Sequence, residues 1–314
     1  MNRKNKGLVR HIHPPYVVAG KCGGFTLMEL LITLAIISLL VGLLLPALSA
    51  VRKAAREAKQ HAQITTLELA ISAFKNDYGD YPQSSDYDVP PSFNYCGSQK
   101  LAEALLGWDL RGFHPKSAWR ADGCYPPPPA ANFVYLNTDQ NLSERKGPYL
   151  ELATTNAFRL GDSPAGAGLF ANTNPLAPER YVICDVFSVK KITLATGKNV
   201  SAGTPILYYK ANTLSKNIDD LTFRNRIYDF SDNEFLVDRG MLADNDKPPA
   251  QRRPHKLYEP APSPALVYFY EYIRDPKIPA TERPWPYRPD TYILISAGAD
   301  GNYGTEDDIR NFGD

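Results

Sequence analysis

The chain has 314 residues, enough for one large domain or two small ones, and its 43% hydrophobic and 22% charged composition excludes wholesale disorder. A formal net charge of +1 gives no global signal for nucleic acid. Charge is unevenly placed: Arg3, Lys4, Lys6, Arg10 and Lys21 fall within residues 1–24, which hold no acid, and without those five the chain keeps 30 Lys and Arg against 34 Asp and Glu, a net of −4.

A basic, acid-free front before an apolar run is the asymmetry that keeps an N-terminus cytoplasmic. The run itself, Leu30 to Val51, is 22 residues without a formal charge. A spanning helix needs about 20. A secretory signal peptide would place its small-residue cleavage site after the apolar core, whereas Gly23 and Gly24 precede it. The sequence continues without a turn signal, and Ile64, Leu67, Ile71, Phe74 and Tyr78 recur at spacings of 3, 4, 3 and 4. That is an amphipathic stripe. Gly79 and Pro82 then supply stop signals, so one helix is predicted from Phe25 to Tyr78, its first half suited to lipid and its second to a folded domain. Pro46 interrupts it, at a position where neighbours in a membrane or bundle re-satisfy the freed carbonyl.

Glu29 is the one acid in this apolar segment. A carboxylate inside a membrane costs on the order of 2.5–3.5 kcal/mol unless it is paired or stays at the interface. One reading is that it snorkels to the headgroups. The sharper reading needs a cation at the same depth: a cut between Gly24 and Phe25 creates an amine that a neighbouring copy can bring to Glu29. The pair then sets the stagger between subunits.

The stretch GGFTLMELLITLAIISLLVGLLLPAL resembles the processing signal of type IV pilins and of the pseudopilins of type II secretion systems. The resemblance implies that a prepilin peptidase cuts after Gly24 and methylates Phe25, that Glu29 is the assembly acid, and that Pro46 loosens the helix. It further implies storage in the inner membrane as a single-pass protein with the C-terminal domain in the periplasm. Polymerisation into a filament with copies of itself and other pseudopilins follows, driven by an inner-membrane assembly platform and its ATPase. The expected organisation is a cleaved leader (1–24), a transmembrane and polymerisation segment (25–51), an amphipathic continuation (52–79) and a globular domain (80–314).

In that domain, FKNDYGDYP resembles the helix-to-domain junction of the major pseudopilin, and GPYLEL a short element of the same family. QKLAEALLGWDLRGF reads as an amphipathic helix, with Leu101, Leu105 and Trp108 at spacings of 4 and 3. RYVICDVFSV, PILYYKAN, ALVYFYEYI and TYILISAG are β-branched or aromatic runs of strand length. The Pro-rich, charged connection from Val237 to Pro264 reads as an exposed loop. The predicted fold class is α+β: a long N-terminal helix packed on an antiparallel sheet, with extra mass in residues 83–180 and 211–262.

Four cysteines are present, Cys22, Cys96, Cys124 and Cys184, and none has the spacing of a zinc or thioredoxin-like site. Two readings stand for the body: a Cys96–Cys124 disulfide with one spare thiol, or three unpaired buried thiols. His61, His114 and His255 are scattered and read as surface or helix residues.

Near the C-terminus, ISAGADGNYGTEDDIRNF gathers Asp300, Asp307 and Asp308 with Gly298, Gly301 and Gly304 between them. Glycines let a short loop curl so that the oxygens a hard cation takes converge, although the ligand spacing is not that of an EF-hand. A solvated acidic turn is the plainer alternative. The major pseudopilin ends in a similar loop, which implies calcium at residues 296–309, with side-chain ligands Asp300, Asp307 and Asp308 and main-chain oxygens near Ala297 and Thr305. No enzyme signature is present: GxSxG, HExxH and a complete P-loop are all missing. The expected function is a structural subunit of a type II secretion pseudopilus, with no nucleic-acid partner; the alternative is a type IV pilin of an adhesion or DNA-uptake filament.

Overall fold

A computed structural model describes residues 24–85, 95–126, 132–161, 168–194, 197–218, 226–259, 268–279 and 283–313. The leader before Gly24, with Cys22, lies outside the described residues. The chain divides into two compact units, residues up to Arg52 and residues Lys53–Asp314, and helix α1 (Leu27–Tyr78) contributes to both.

In the first unit every described residue is exposed. The helix there is long and apolar enough to cross a membrane. In the second unit four of the five residues of the stripe read from the sequence are buried, Ile64, Leu67, Ile71 and Phe74, with Ala70 beside them, while Tyr78 is half-buried. α1 stops where expected, with the N–H of Gly79 donating to the Lys75 carbonyl (2.7 Å) and Gly79 in the left-handed region at φ +84°.

That stripe packs on α2 (Gly97–Leu106) and on one face of a sheet. The sheet has strands β8 (Leu207–Lys210), β9 (Tyr292–Ser296) and β10 (Ile309–Arg310) in the antiparallel order β10-β9-β8. Alternation decides the faces. Tyr208, Tyr292 and Leu294 meet α1 and α2, whereas Leu207, Tyr209, Ile293 and Ile295 enter a second core. A sheet covered on both sides needs apolar residues at successive positions, which is why these strands read as continuous apolar runs.

The second core is closed by shorter elements. Strands β3 (Ala157–Gly161), β4 (Gly168–Phe170) and β5 (Tyr181–Ile183) form a sheet in which β3 pairs parallel with β4 and antiparallel with β5. Hairpin β6–β7 joins Lys190–Thr193 to Asn199–Ala202, and β1–β2 joins Cys124–Tyr125 to Asn132–Phe133. Among the described residues, α3 (Asp139–Glu144), α4 (Glu234–Val237) and α5 (Phe269–Tyr272) are short helices of one or two turns. The fold is thus α+β, a long helix with largely antiparallel sheets and large connections.

Two expectations are corrected here. ALVYFYEYI is not a strand where it is described; Phe269–Tyr272 is one helical turn, α5. Phe269, Tyr270 and Ile273 are all buried, a spacing that suits a helical turn better than a pleat. Nor is the 237–264 connection simply exposed. Val237, Met241, Leu242 and Leu257 reach the interior, and buried Asp244 is neutralised by Arg253 (2.7 Å) and Lys247 (2.8 Å). Residues 260–264 of that connection lie outside the described residues.

α2 sits against β8 through a close approach that only glycine allows. A Cβ on Gly97 would fall 2.4 Å from the Tyr208 carbonyl oxygen. Asn233 locks the contact: it accepts from the Ser98 N–H and hydroxyl (both 2.9 Å) and donates to the same Tyr208 oxygen (2.8 Å). Gly97→Ala is expected to destabilise the protein by about 2–3 kcal/mol through overpacking, seen as a lower denaturant midpoint at unchanged slope.

Candidate functional site

Two regions carry the candidate residues. The first is the start of α1. Thr26 is followed three residues later by Glu29, and the pair closes a capping box. The Thr26 N–H (2.9 Å) and hydroxyl (2.8 Å) donate to Glu29 Oε2, while the Glu29 N–H donates to the Thr26 hydroxyl (3.2 Å). The sequence reading missed this role, although T-x-x-E before an apolar run is its signature. In a single chain Glu29 is therefore occupied by its own helix end. Gly24 and Phe25 lie just outside the helix and are exposed, which leaves the peptide bond between them accessible. Pro46 sits inside α1, and its carbonyl accepts the Ser49 hydroxyl (2.8 Å).

The second region is the loop between β9 and β10. Gly298 has φ +62°, and a Cβ there would lie 2.2 Å from the Asp307 carbonyl oxygen, so the loop doubles back where only glycine fits. Asp307 accepts from the Asp300 N–H (3.0 Å) at Oδ2 and from the Thr305 hydroxyl (2.6 Å) at Oδ1. Asp300 Oδ1 accepts the Asn302 N–H (2.7 Å). Asp308 Oδ2 accepts the Tyr272 hydroxyl (2.5 Å) and the Gly304 N–H (2.7 Å), whereas its Oδ1 is buried without a hydrogen-bond partner.

The electrostatics follow from that crowding. Partial burial, and then the neighbouring Asp307, push the Asp300 carboxyl above its usual range. Asp307, although partly buried, is held low by the Thr305 hydroxyl and the Asp300 N–H. Burial above all, with repulsion from Asp307 and Asp300, drives Asp308 up to about 7. The loop thus brings Asp300, Asp307 and Thr305 together, with Asp308 beside them and Ala297 buried where the chain leaves β9.

An orphaned, buried carboxylate oxygen beside two adjoining acids suits a hard cation. The side chains of the loop do not make a complete cage, however: among the described residues no group of three or more His, Cys, Asp or Glu is disposed to hold an ion. Main-chain and hydroxyl oxygens would have to complete the shell.

Cys96 and Cys124 are not bridged to each other in the structure, which corrects the expected pairing. Cys96 is buried at the N-cap of α2 with its Sγ 3.6 Å from Gln99 Oε1, and Cys124 directs its Sγ to the Asp122 carbonyl (3.6 Å). Of the reading with three buried thiols, Cys96 and Cys184 are buried and Cys124 is half-buried. His61 is exposed on α1, but His114 and His255 are buried, against expectation.

A capped helix that is exposed and apolar up to Arg52, behind an accessible Gly24–Phe25 bond, fits a membrane-anchored chain processed at its N-terminus. In agreement, the prokaryotic N-terminal methylation motif is matched at residues 20–45. The chain therefore carries the prepilin-type processing signal of type IV pilin-like proteins. No curated protein and no solved structure matches it.

Proposed function

We propose that this chain is a structural subunit of a type II secretion pseudopilus. Prepilin peptidase cuts it after Gly24 and methylates Phe25. The product waits in the inner membrane with its globular domain in the periplasm, until the assembly platform and its ATPase draw it into a filament with its own copies and other pseudopilins. Its role is mechanical rather than catalytic. The observation that carries the reading is the methylation motif on a helix whose first part, up to Arg52, is exposed and apolar with Glu29 as its one acid.

Within the pilin-like class, the acidic loop and the Gly79–Pro82 junction favour the pseudopilin over an adhesive or DNA-uptake pilin. Cys96 and Cys124 are not bridged to each other, which removes one feature that a disulfide-bounded adhesive loop would need. The test is the intact mass of protein extracted from membranes: the expected species begins at Phe25 with one added methyl group. A chain still carrying residues 1–24 sinks the proposal. Deletion of the gene separates the two filament types, with secreted hydrolases lost in the first case and attachment or DNA uptake in the second.

The same reading places calcium in the C-terminal loop. Asp300, Asp307 and Asp308 would hold it, aided by oxygens at Ala297 and Thr305. The ion would supply charge neutralisation and tie the ends of the loop together. The chain's own contribution is the glycine-dependent curl at Gly298 and the Tyr272–Asp308 bond, which bring the carboxylates to one side. The protein should melt at a lower temperature in EGTA than in millimolar calcium; superimposable melts would count against the ion.

A further inference from the structure

The apolar stretch of α1 ends abruptly. Leu30 to Val51 carry no charge, and the next eight residues are RKAAREAK, with four cations and one acid. At 1.5 Å per residue the uncharged run is about 33 Å long, against a hydrocarbon core of about 30 Å. The cations therefore begin where the headgroups begin. Lys53, Arg56 and Lys59 belong to the second unit, on the part of α1 that goes on to carry the buried stripe. They span about 9 Å of helix rise, close to the roughly 5–8 Å that polar headgroups occupy on each side of a bilayer.

The domain leaves these three side chains unused. All are exposed, and so are Ala54, Ala55 and Ala58 between them, whose side chains are too short to cover them. Lys53 has one partner, Glu57, at a loose 3.8 Å, and an exposed pair of this kind contributes little. The side chains of Arg56 and Lys59 make no ion pair among the described residues. Lysines nearer the far end of α1 are treated differently: Lys146 meets Asp77 at 2.9 Å and Lys210 meets Asp80 at 2.6 Å. Side chains on an α-helix lean toward its N-terminus, which on α1 is the direction of the apolar run.

Cations directly beyond a span oppose its translocation. The leader holds five and this segment four, so the charge bias that orients the chain is nearly cancelled, although the body as a whole carries more acids than bases. The partner that fits such a cluster is negative, lies just outside the hydrocarbon and is spread over several ångströms. Lipid phosphates meet all three conditions. A second copy at the same depth does not, because it brings the same cations to the same level and like charges meet.

We propose that Lys53, Arg56 and Lys59 form a collar that binds the phosphate groups of anionic phospholipids in the leaflet from which α1 emerges. This rests on the membrane reading of α1 and adds the class of lipid that the stored subunit selects. Such attraction fades within a Debye length, so the selection is sensitive to salt. The collar must let go when a subunit leaves the bilayer, and the anionic lipid content of the membrane then sets how readily stored copies are drawn out.

The experiment places the full chain in phosphatidylcholine vesicles with a trace of spin-labelled phosphatidylglycerol or spin-labelled phosphatidylcholine. Electron spin resonance reads the fraction of each label slowed at the protein surface. Phosphatidylglycerol should associate about threefold or more above phosphatidylcholine with wild type. The preference should fall to near unity in the triple variant Lys53→Gln, Arg56→Gln, Lys59→Gln, and for wild type in about 1 M salt. The variant should melt as wild type does, because the three side chains are exposed. Equal association of both labels with wild type overturns the collar and leaves the membrane reading standing. A preference that survives the triple variant also overturns it, and moves the selection to the cations of residues 1–24. A chain that alkaline carbonate washes off the vesicles overturns the membrane reading and the collar together.

Discussion

Glu29→Gln should leave the chain processed and held in the membrane, and abolish its filaments. The choice of glutamine follows from the capping box. A Gln at this position keeps the acceptor for the Thr26 N–H and so keeps the helix end; what is lost is the charge. If Glu29 meets the Phe25 amine of a neighbouring copy, the variant leaves that amine buried and uncompensated. Breaking such a pair from one side costs about 3–5 kcal/mol, which is roughly a hundredfold or more in the equilibrium for each subunit added. Thr26→Val makes the reciprocal change. It removes the side-chain cap, worth about 1 kcal/mol, and spares the carboxylate, so filaments should persist. Electron microscopy of sheared filaments and an immunoblot of the membrane fraction read both outcomes. Normal filaments from Glu29→Gln would show that the acid serves its own helix end and nothing else.

The second large effect is loss of stability in acid, centred on His255. Its ring is buried, accepting the Tyr303 N–H at Nδ1 (3.2 Å) and lying tilted against the Tyr303 ring with centroids 4.5 Å apart. Burial drives its pKa down to about 4, against roughly 6.5 in the unfolded chain. Above pH 6.5 both states are neutral and the residue adds no pH dependence. Between about 6.5 and 4 the unfolded chain takes up a proton that the folded chain refuses, so stability falls as pH falls, by about 3 kcal/mol over the window. Below 4 the effect levels off. The buried acids Glu103 and Asp185, raised by burial, act in the opposite sense, since they favour folding at low pH. The informative quantity is therefore the difference between wild type and His255→Gln in denaturant midpoint from pH 7 to pH 4. The variant should lose less stability across that range; parallel curves would refute the assignment.

How much of this was legible beforehand depends on the length over which each signal could accumulate. α1 was readable almost to the residue, because five apolar positions repeat along its second half, four of them buried, and Gly79 marks its end. β8 and β9 were readable because both their faces are covered. β3, β4, β6 and β7 were not, since three to five residues such as GLF or KKIT carry too little pattern to separate from a loop. α5 was misread because aromatic residues suit a strand by composition, and only its surroundings in the core select a helical turn. The segment around His255 looked solvated because its prolines and charges hide single apolar anchors. Its acid, Asp244, is satisfied by Arg253 from nine residues further along the chain, which no local pattern announces.

The functional residues divide in the same way. Gly24, Phe25 and Glu29 belong to a contiguous motif and were found from the sequence. Asp300, Asp307 and Asp308 stand close together in sequence, and the loop between β9 and β10 gathers them as that spacing suggests. The capping role of Glu29 is legible in the T-x-x-E pattern that Thr26 begins.

The unbridged thiols have a consequence of their own. Because Cys96 is not bridged to Cys124, packing alone holds the start of α2 and strand β1 in place, and their folding does not wait for that bond to be oxidised.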